Sequence, residues 1–168
     1  MPSSPNDQLS SDTIALDKNA IVAFATLFDP QPYHLETDAA EASIFGGLCA
    51  SGWHIAVLAT RLVSETLLAN GIAFLEMTSV GHLKWHRPTF VNDQISVRIA
   101  LGSSHSESPI TDTVIQALQV EVCNGDGEVV AEMSATAAIA SAEITAIKKR
   151  LPITISYLPV RKSPKSYG

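Results

Sequence analysis

Asp29-Pro30-Gln31-Pro32-Tyr33-His34, followed by Phe45-Gly46-Gly47 and then by Ala50-Ser51-Gly52-Trp53, is the stretch on which the reading of this chain turns. A carboxylate and an imidazole stand five residues apart in a segment that carries two prolines. Each proline fixes its own φ and biases the residue before it towards extended backbone. The segment therefore reads as a non-helical loop in which Asp29 and His34 converge through an ordered turn as a proton-transfer pair. A purely structural reading stands beside it, because turns select Asp and Pro for their backbone habits and a turn-capping Asp beside a surface His needs no catalytic role. A glycine pair and a run of small residues then lead into a long apolar segment. That combination suits a site better than a solubility loop.

Working outward, residues 44–60 hold no Asp, Glu, Lys or Arg. The run is shorter than the ~20 apolar residues a bilayer span takes. It also contains Ser51 and His54, and Arg61 closes it. A buried helix of a globular domain is expected, not a membrane helix. The helix is placed at residues 52–70, with Trp53, Ala56, Val57, Thr60, Val63 and Leu67 as its apolar stripe and Asn70-Gly71 as its exit. A shorter amphipathic helix is expected at 17–28, with Asp17 as N-cap and Ile21, Phe24 and Phe28 on one face. Beyond Ile72 the chain reads as strand. Ile95, Val97, Ile99 and Leu101 alternate with polar residues, and 113–122 alternates less cleanly. Asn124-Gly125-Asp126-Gly127 is a hairpin turn, and 128–140 returns as a strand of small residues. Two early helices and an antiparallel meander predict an α+β domain, its sheet wrapped around a long helix buried on all sides of its middle.

The length of 168 residues fits one domain with a substantial core. An apolar content of 46% against 17% charged residues calls for extensive burial, a subunit interface included. The net charge of -6 argues against the basic face that nucleic-acid binding needs. Residues 1–12, rich in Ser, Pro and Asp and lacking an apolar signal core, read as a disordered leader; 13–145 as the domain; and 146–168, basic and irregular at its end, as a C-terminal extension. Cys49 and Cys123 show no metal or redox spacing, which fits a reduced, cytoplasmic setting. His82 and His86 share a strand face but find no third ligand in the sequence, so no metal site is expected. Cys49 reads as a small buried thiol, and Trp53 and Trp85 as core or interface aromatics.

With these residues assembled, the chain resembles the MaoC-like dehydratases, of which (R)-specific enoyl-CoA hydratases are the best-known members. The matching positions are Asp29, Gln31, Pro32 and His34, then Phe45-Gly46, then Ser51-Gly52. A second block follows at Leu83-Lys84-Trp85-His86-Arg87-Pro88 and Asn92-Asp93, and a third at Asn124 to Val130. The likeness covers roughly residues 14 to 140. Three positions depart from the family pattern. Gln31 stands where the hydratases have Asn, Ser51 where they have His, and Asn92 where a turn has Gly. Gln keeps the amide and Asn tolerates the left-handed region, whereas Ser51 removes an imidazole from the mouth of the site.

The resemblance implies the hot-dog fold, a homodimer or higher homo-oligomer, and addition or removal of water across the 2,3 double bond of an acyl thioester. The acyl carrier is CoA or an acyl-carrier protein, and no cofactor is implied beyond CoA as part of the substrate. No membrane or nucleic acid is implied. Asp29 and His34 would hold and polarise the water, and the Gly52 N–H at the head of the long helix would receive the thioester oxygen. The lack of a side chain at Gly52 would let the thioester approach closely. Gln31, Phe45, Gly46, Ser51 and Thr60 fall in the substrate-binding set, although Thr60 reads equally well as a helix hydroxyl bonding its own turn. Two other functions fit the same fold: a thioesterase directing water at the carbonyl, and a non-catalytic acyl-CoA-binding subunit in which Ser51 marks a decayed site.

Overall fold

Asp17 opens the first helix, α1 (Lys18–Phe28), by accepting a hydrogen bond from the Ala20 N–H at 3.1 Å. The computed structural model describes residues 8–105 and 113–140. The buried side of α1 consists of Ile21 and Ala25, while Phe28, expected on that face, is largely exposed.

Directly after α1 the structure corrects the expectation of a non-helical loop. Pro32–Leu35 forms a single helical turn, α2, with Pro32 in its first turn. That is where a missing N–H leaves no bond unmade and a φ fixed near the helical value favours the turn. Extended backbone at Gln31, the residue before the proline, is what the sequence rules captured correctly. A second short helix, α3 (Thr37–Glu41), follows.

The long helix is α4 (Gly52–Ala69). Ser51 caps its N-terminus by accepting from Trp53 N–H at 3.2 Å, and the Asn70 backbone N–H closes its C-terminus on Thr66 and Leu67 carbonyls. Gly71 then leaves at a φ of 79°, a value that suits glycine. The buried face of α4 is Ile55, Ala59, Leu62, Val63 and Leu67, none more than 3% exposed. Of the predicted stripe only Val63 and Leu67 fall on it. Trp53 and Val57 are 58% and 57% exposed, so α4 is not buried all round its middle. Nearly every position of this helix is apolar or small, and periodicity alone had little contrast with which to choose a face.

Among the described residues six strands make one antiparallel sheet: β1 (Gln8–Ser10), β2 (Ile14–Ala15), β3 (Phe74–Trp85), β4 (Gln94–His105), β5 (Thr113–Asn124) and β6 (Val129–Ala140). The order across the sheet is β1-β4-β5-β6-β3, with β2 also paired to β4. Gln8–Ser10 was expected within the disordered leader. Instead it pairs with β4, Leu9 opposite Ile99, because a sheet edge offers backbone donors and acceptors that any side chains can use. Residues 1–7 of that leader, and the whole of the expected extension at 146–168, lie outside the described residues.

Ile95, Val97 and Ile99 from β4 and Leu118, Val120 and Val122 from β5 meet the buried face of α4 in one core cluster. Burial of each such aliphatic side chain stabilises by ~1.5–3 kcal/mol. The hairpin turn forms as expected, Gly127 at a φ of 79° and Asn124 Oδ1 accepting from the N–H groups of Asp126 and Glu128. Asn92 takes a φ of 69°, the conformation for which it stands in place of glycine. Two ties hold the head of α4 to the sheet side: Ala50 N–H donates to Thr89 O at 2.8 Å, and Cys49 forms a bridge with Phe90. No helix among the described residues is long and apolar enough to cross a membrane.

Candidate active site

Asp29 ends α1, its N–H bonded to Ala25 O at 2.9 Å. Its own carbonyl accepts from Gln31 N–H at 2.7 Å, and the Gln31 carbonyl from His34 N–H at 2.9 Å. These bonds fold the short turn back on itself and bring His34 Nε2 to 3.5 Å from Asp29 Oδ2. The convergence expected from an ordered turn is achieved by one turn of helix.

His34 is buried, and its Nδ1 lies 2.7 Å from the carbonyl oxygen of Cys49. A carbonyl only accepts, so Nδ1 carries the proton and Nε2 faces Asp29 with either a lone pair or a second proton. Tyr33 packs edge-on against the ring at 4.6 Å and in turn meets Phe45 at 4.9 Å. Cys49 Sγ is 3.7 Å from His34 Nδ1. Burial, only partly offset by a backbone hydrogen bond, pushes this thiol up from its ordinary value, which keeps it a neutral packing group and not a nucleophile.

Asp29 and His34 open on a cavity of about 390 Å³ whose wall includes Tyr33, Phe45, Gly52, Trp53, Trp85 and Arg87. Gly52 is the first residue of α4, where an N–H has no intrahelical acceptor and the positive end of the helix dipole is felt. The space beside its Cα is already taken. A Cβ on Gly52 would stand 2.7 Å from two atoms of the Trp85 indole, and the indole N–H donates to Gly52 O at 2.8 Å. Glycine at 52 is thus demanded by Trp85, which packs edge-on with Trp53 at 5.2 Å to form one wall.

Of the expected site residues, the structure brings Asp29, His34, Phe45 and Gly52 together around the cavity. Gln31 is exposed and outside it, its backbone holding the turn. Gly46 is not on its wall and sits at a φ of 68° in the approach to the helix. Ser51 is completely buried behind Asp29. Thr60 Oγ1 donates to Ala56 O of its own helix at 3.0 Å and lines a separate groove. Sequence reasoning missed Tyr33 as a wall residue. A side chain between two residues already singled out carries no periodic signal of its own.

His82 and His86 both face Glu132 on the neighbouring strand, at 3.4 and 3.3 Å. Hydrogen bonding from His86 first, then from His82, holds the Glu132 carboxyl below its ordinary value, and these two histidines serve an exposed cluster around that carboxylate. No group of three or more potential ligands suited to a metal occurs among the described residues.

A long helix against an antiparallel sheet is the hot-dog arrangement, and here an acid and an imidazole stand at the head of that helix. The MaoC like domain family matches residues 2–122, and the chain belongs to that family. Among solved structures it is similar to a MaoC-like dehydratase from Rhodospirillum rubrum, with 35% identity and a TM-score of 0.69 over 80% of this chain and 91% of that one. It shares the fold of an (R)-hydratase from A. caviae involved in PHA biosynthesis, at 20% identity and a TM-score of 0.60 over 80% of this chain and 93% of that one. The same holds for the HadBC (3R-hydroxyacyl-ACP dehydratase) complex from Mycobacterium tuberculosis, at 16% identity and a TM-score of 0.63 over 80% and 98%. No curated protein matches the chain.

Proposed function

We propose that this protein is a hydro-lyase of the enoyl-CoA hydratase or 3-hydroxyacyl-CoA dehydratase type, acting on an acyl thioester whose carrier is CoA. The observation that carries the reading is the 3.5 Å approach of His34 Nε2 to Asp29 Oδ2 beside the first N–H of α4.

In the hydration direction, water oxygen bonds to C3 of the enoyl thioester while a proton passes to the Asp29–His34 pair. The C2–C3 π electrons move towards the thioester carbonyl, and the Gly52 N–H receives the charge that develops on its oxygen. The pair returns a proton to C2. One H and one OH are added, and both groups end as they began. With Nδ1 tied to Cys49 O, only Nε2 of His34 is available for this transfer. Removal of water follows the same path in reverse.

A second copy of the chain completes the site in this reading. Strand β3 is a twelve-residue edge of the sheet, with Val80 50% exposed. Beside it, an apolar groove of about 440 Å³ runs between β3 and the exposed face of α4, lined by Trp53, Val57, Val80 and Leu83. A long edge strand flanked by an apolar groove is normally covered.

The test is incubation with crotonyl-CoA, followed by the absorbance of its conjugated thioester. Loss of that absorbance without release of free CoA supports the hydro-lyase. Free CoA from a saturated acyl-CoA would favour the thioesterase, and binding without turnover the non-catalytic subunit.

A further inference from the structure

Ser51 departs from the family pattern, and the structure gives its hydroxyl a definite task. Ser51 Oγ lies 2.7 Å from Asp29 Oδ2 and 3.2 Å from the Trp53 backbone nitrogen. The Trp53 N–H can only donate, so Oγ is its acceptor, and the single hydroxyl proton is left for the Asp29 carboxylate. The serine is completely buried and does not line the cavity, and among the described residues its hydroxyl meets these two partners alone. A hydroxyl so constrained on both sides is a fixed donor rather than a free rotor.

The bond joins two residues 22 positions apart, one at the end of α1 and the other capping α4. Both the Ser51 donation and the His34 approach fall on the same oxygen, Oδ2. Without Ser51, the one side-chain tie left to the Asp29 carboxylate among the described residues would be a 3.5 Å approach that is long for a direct hydrogen bond. Ser51 also immediately precedes Gly52, so the group that orients the acid is covalently next to the N–H assigned to the thioester oxygen.

We propose that Ser51 is a positioning residue, fixing the Asp29 carboxylate against His34 and locking the acid to the helix end that carries the Gly52 N–H. This deepens the hydro-lyase reading above and rests on it for its catalytic consequence. It replaces the expectation that Ser51 touches substrate.

The structural role of Ser51 as a helix cap is separable from its role towards Asp29. Glycine caps a helix nearly as well as serine, whereas alanine does not. Ser51→Gly and Ser51→Ala both delete the hydroxyl, and they should therefore differ in melting temperature while sharing one kinetic defect. The expected defect is a fall in kcat for crotonyl-CoA of up to about 100-fold at nearly unchanged KM, the consequence of a reacting group displaced by an ångström. A crystal structure of Ser51→Gly should show the Asp29 carboxylate turned away from His34, the Oδ2–Nε2 separation clearly beyond 3.5 Å. Wild-type kcat in Ser51→Gly, or a loss confined to the less stable Ser51→Ala, would overturn the proposal. So would an Asp29 carboxylate that stays in place in Ser51→Gly. If the wild-type protein itself fails to hydrate enoyl thioesters, the hydro-lyase reading falls, and the crystal structure of Ser51→Gly still decides whether Ser51 positions Asp29.

Discussion

His34 donates its Nδ1 proton to the carbonyl oxygen of Cys49 across 2.7 Å, and this bond decides which nitrogen faces Asp29. The carbonyl is itself fixed, because Cys49 bridges to Phe90 and Ala50 bonds to Thr89. The imidazole is therefore oriented by backbone on a rigid neighbour, with Nε2 left for chemistry. His34→Gln keeps an amide donor for the Cys49 carbonyl but has no group able to exchange a proton. We expect kcat for enoyl-thioester hydration to fall by ~10²–10⁴, with the far-ultraviolet circular dichroism unchanged.

Gly52→Ala tests the close approach of Trp85. The added methyl would meet the indole at 2.7 Å, so the ring has to leave its place and its bond to Gly52 O. Overpacking of this kind costs ~1–3 kcal/mol. Urea denaturation followed by tryptophan fluorescence should show that loss together with an altered native spectrum, because Trp53 packs on the displaced ring.

His54 provides a pH prediction. It is buried against Phe24, rings nearly parallel at 4.7 Å, and its Nδ1 has no hydrogen-bond partner among the described residues. Burial holds it below its ordinary value of 6.5. In the unfolded chain the imidazole takes up a proton as pH falls through that value, whereas in the folded chain it does so only at lower pH. Stability is therefore undiminished by this group above pH 6.5, declines as pH falls below it, and levels off beneath the folded value. His54→Leu removes the titrating ring and the unpaired nitrogen. Its unfolding free energy should be flatter than wild type over that acidic window, measured by urea titration at several pH values.

Val80 lies half exposed on the β3 edge, next to the apolar groove. If a second copy covers this edge, a charge there opposes association. Analytical ultracentrifugation should show wild type as a dimer or higher oligomer and Val80→Lys shifted towards monomer, with little effect on the fold of each chain.

How far the sequence disclosed this molecule depends on which kind of signal each part carries. Asp17, Asn70-Gly71 and the Asn124–Gly127 turn are local punctuation, and the elements they bound are close to their expected limits. Ile95, Val97 and Ile99 alternate because one face of β4 is buried, and that face was legible. The helical turn at Pro32 was not, because a proline that breaks a helix interior also favours a helix start. The face of α4 was misassigned because Trp53 and Val57 are as apolar as Ile55 and Leu62, and hydrophobicity does not say which partner will cover a residue. Within the site, Asp29 and His34 share a local turn and could be paired from spacing. Ser51 reaches Asp29 only through the tertiary packing of α1 against α4, a relation across the chain that no local pattern records.

In the proposed reaction Asp29, held at the head of α4 beside His34, moves protons for the addition of water to an enoyl thioester. The most direct measurement is the absorbance of crotonyl-CoA incubated with wild-type protein and, separately, with Asp29→Asn, which keeps an acceptor oxygen for Ser51 and removes the carboxylate. The conjugated signal is expected to decay with wild type, and Asp29→Asn to be slower by ~10²–10⁴ with its melting temperature little changed. Near-normal turnover by a folded Asp29→Asn would contradict that role for Asp29.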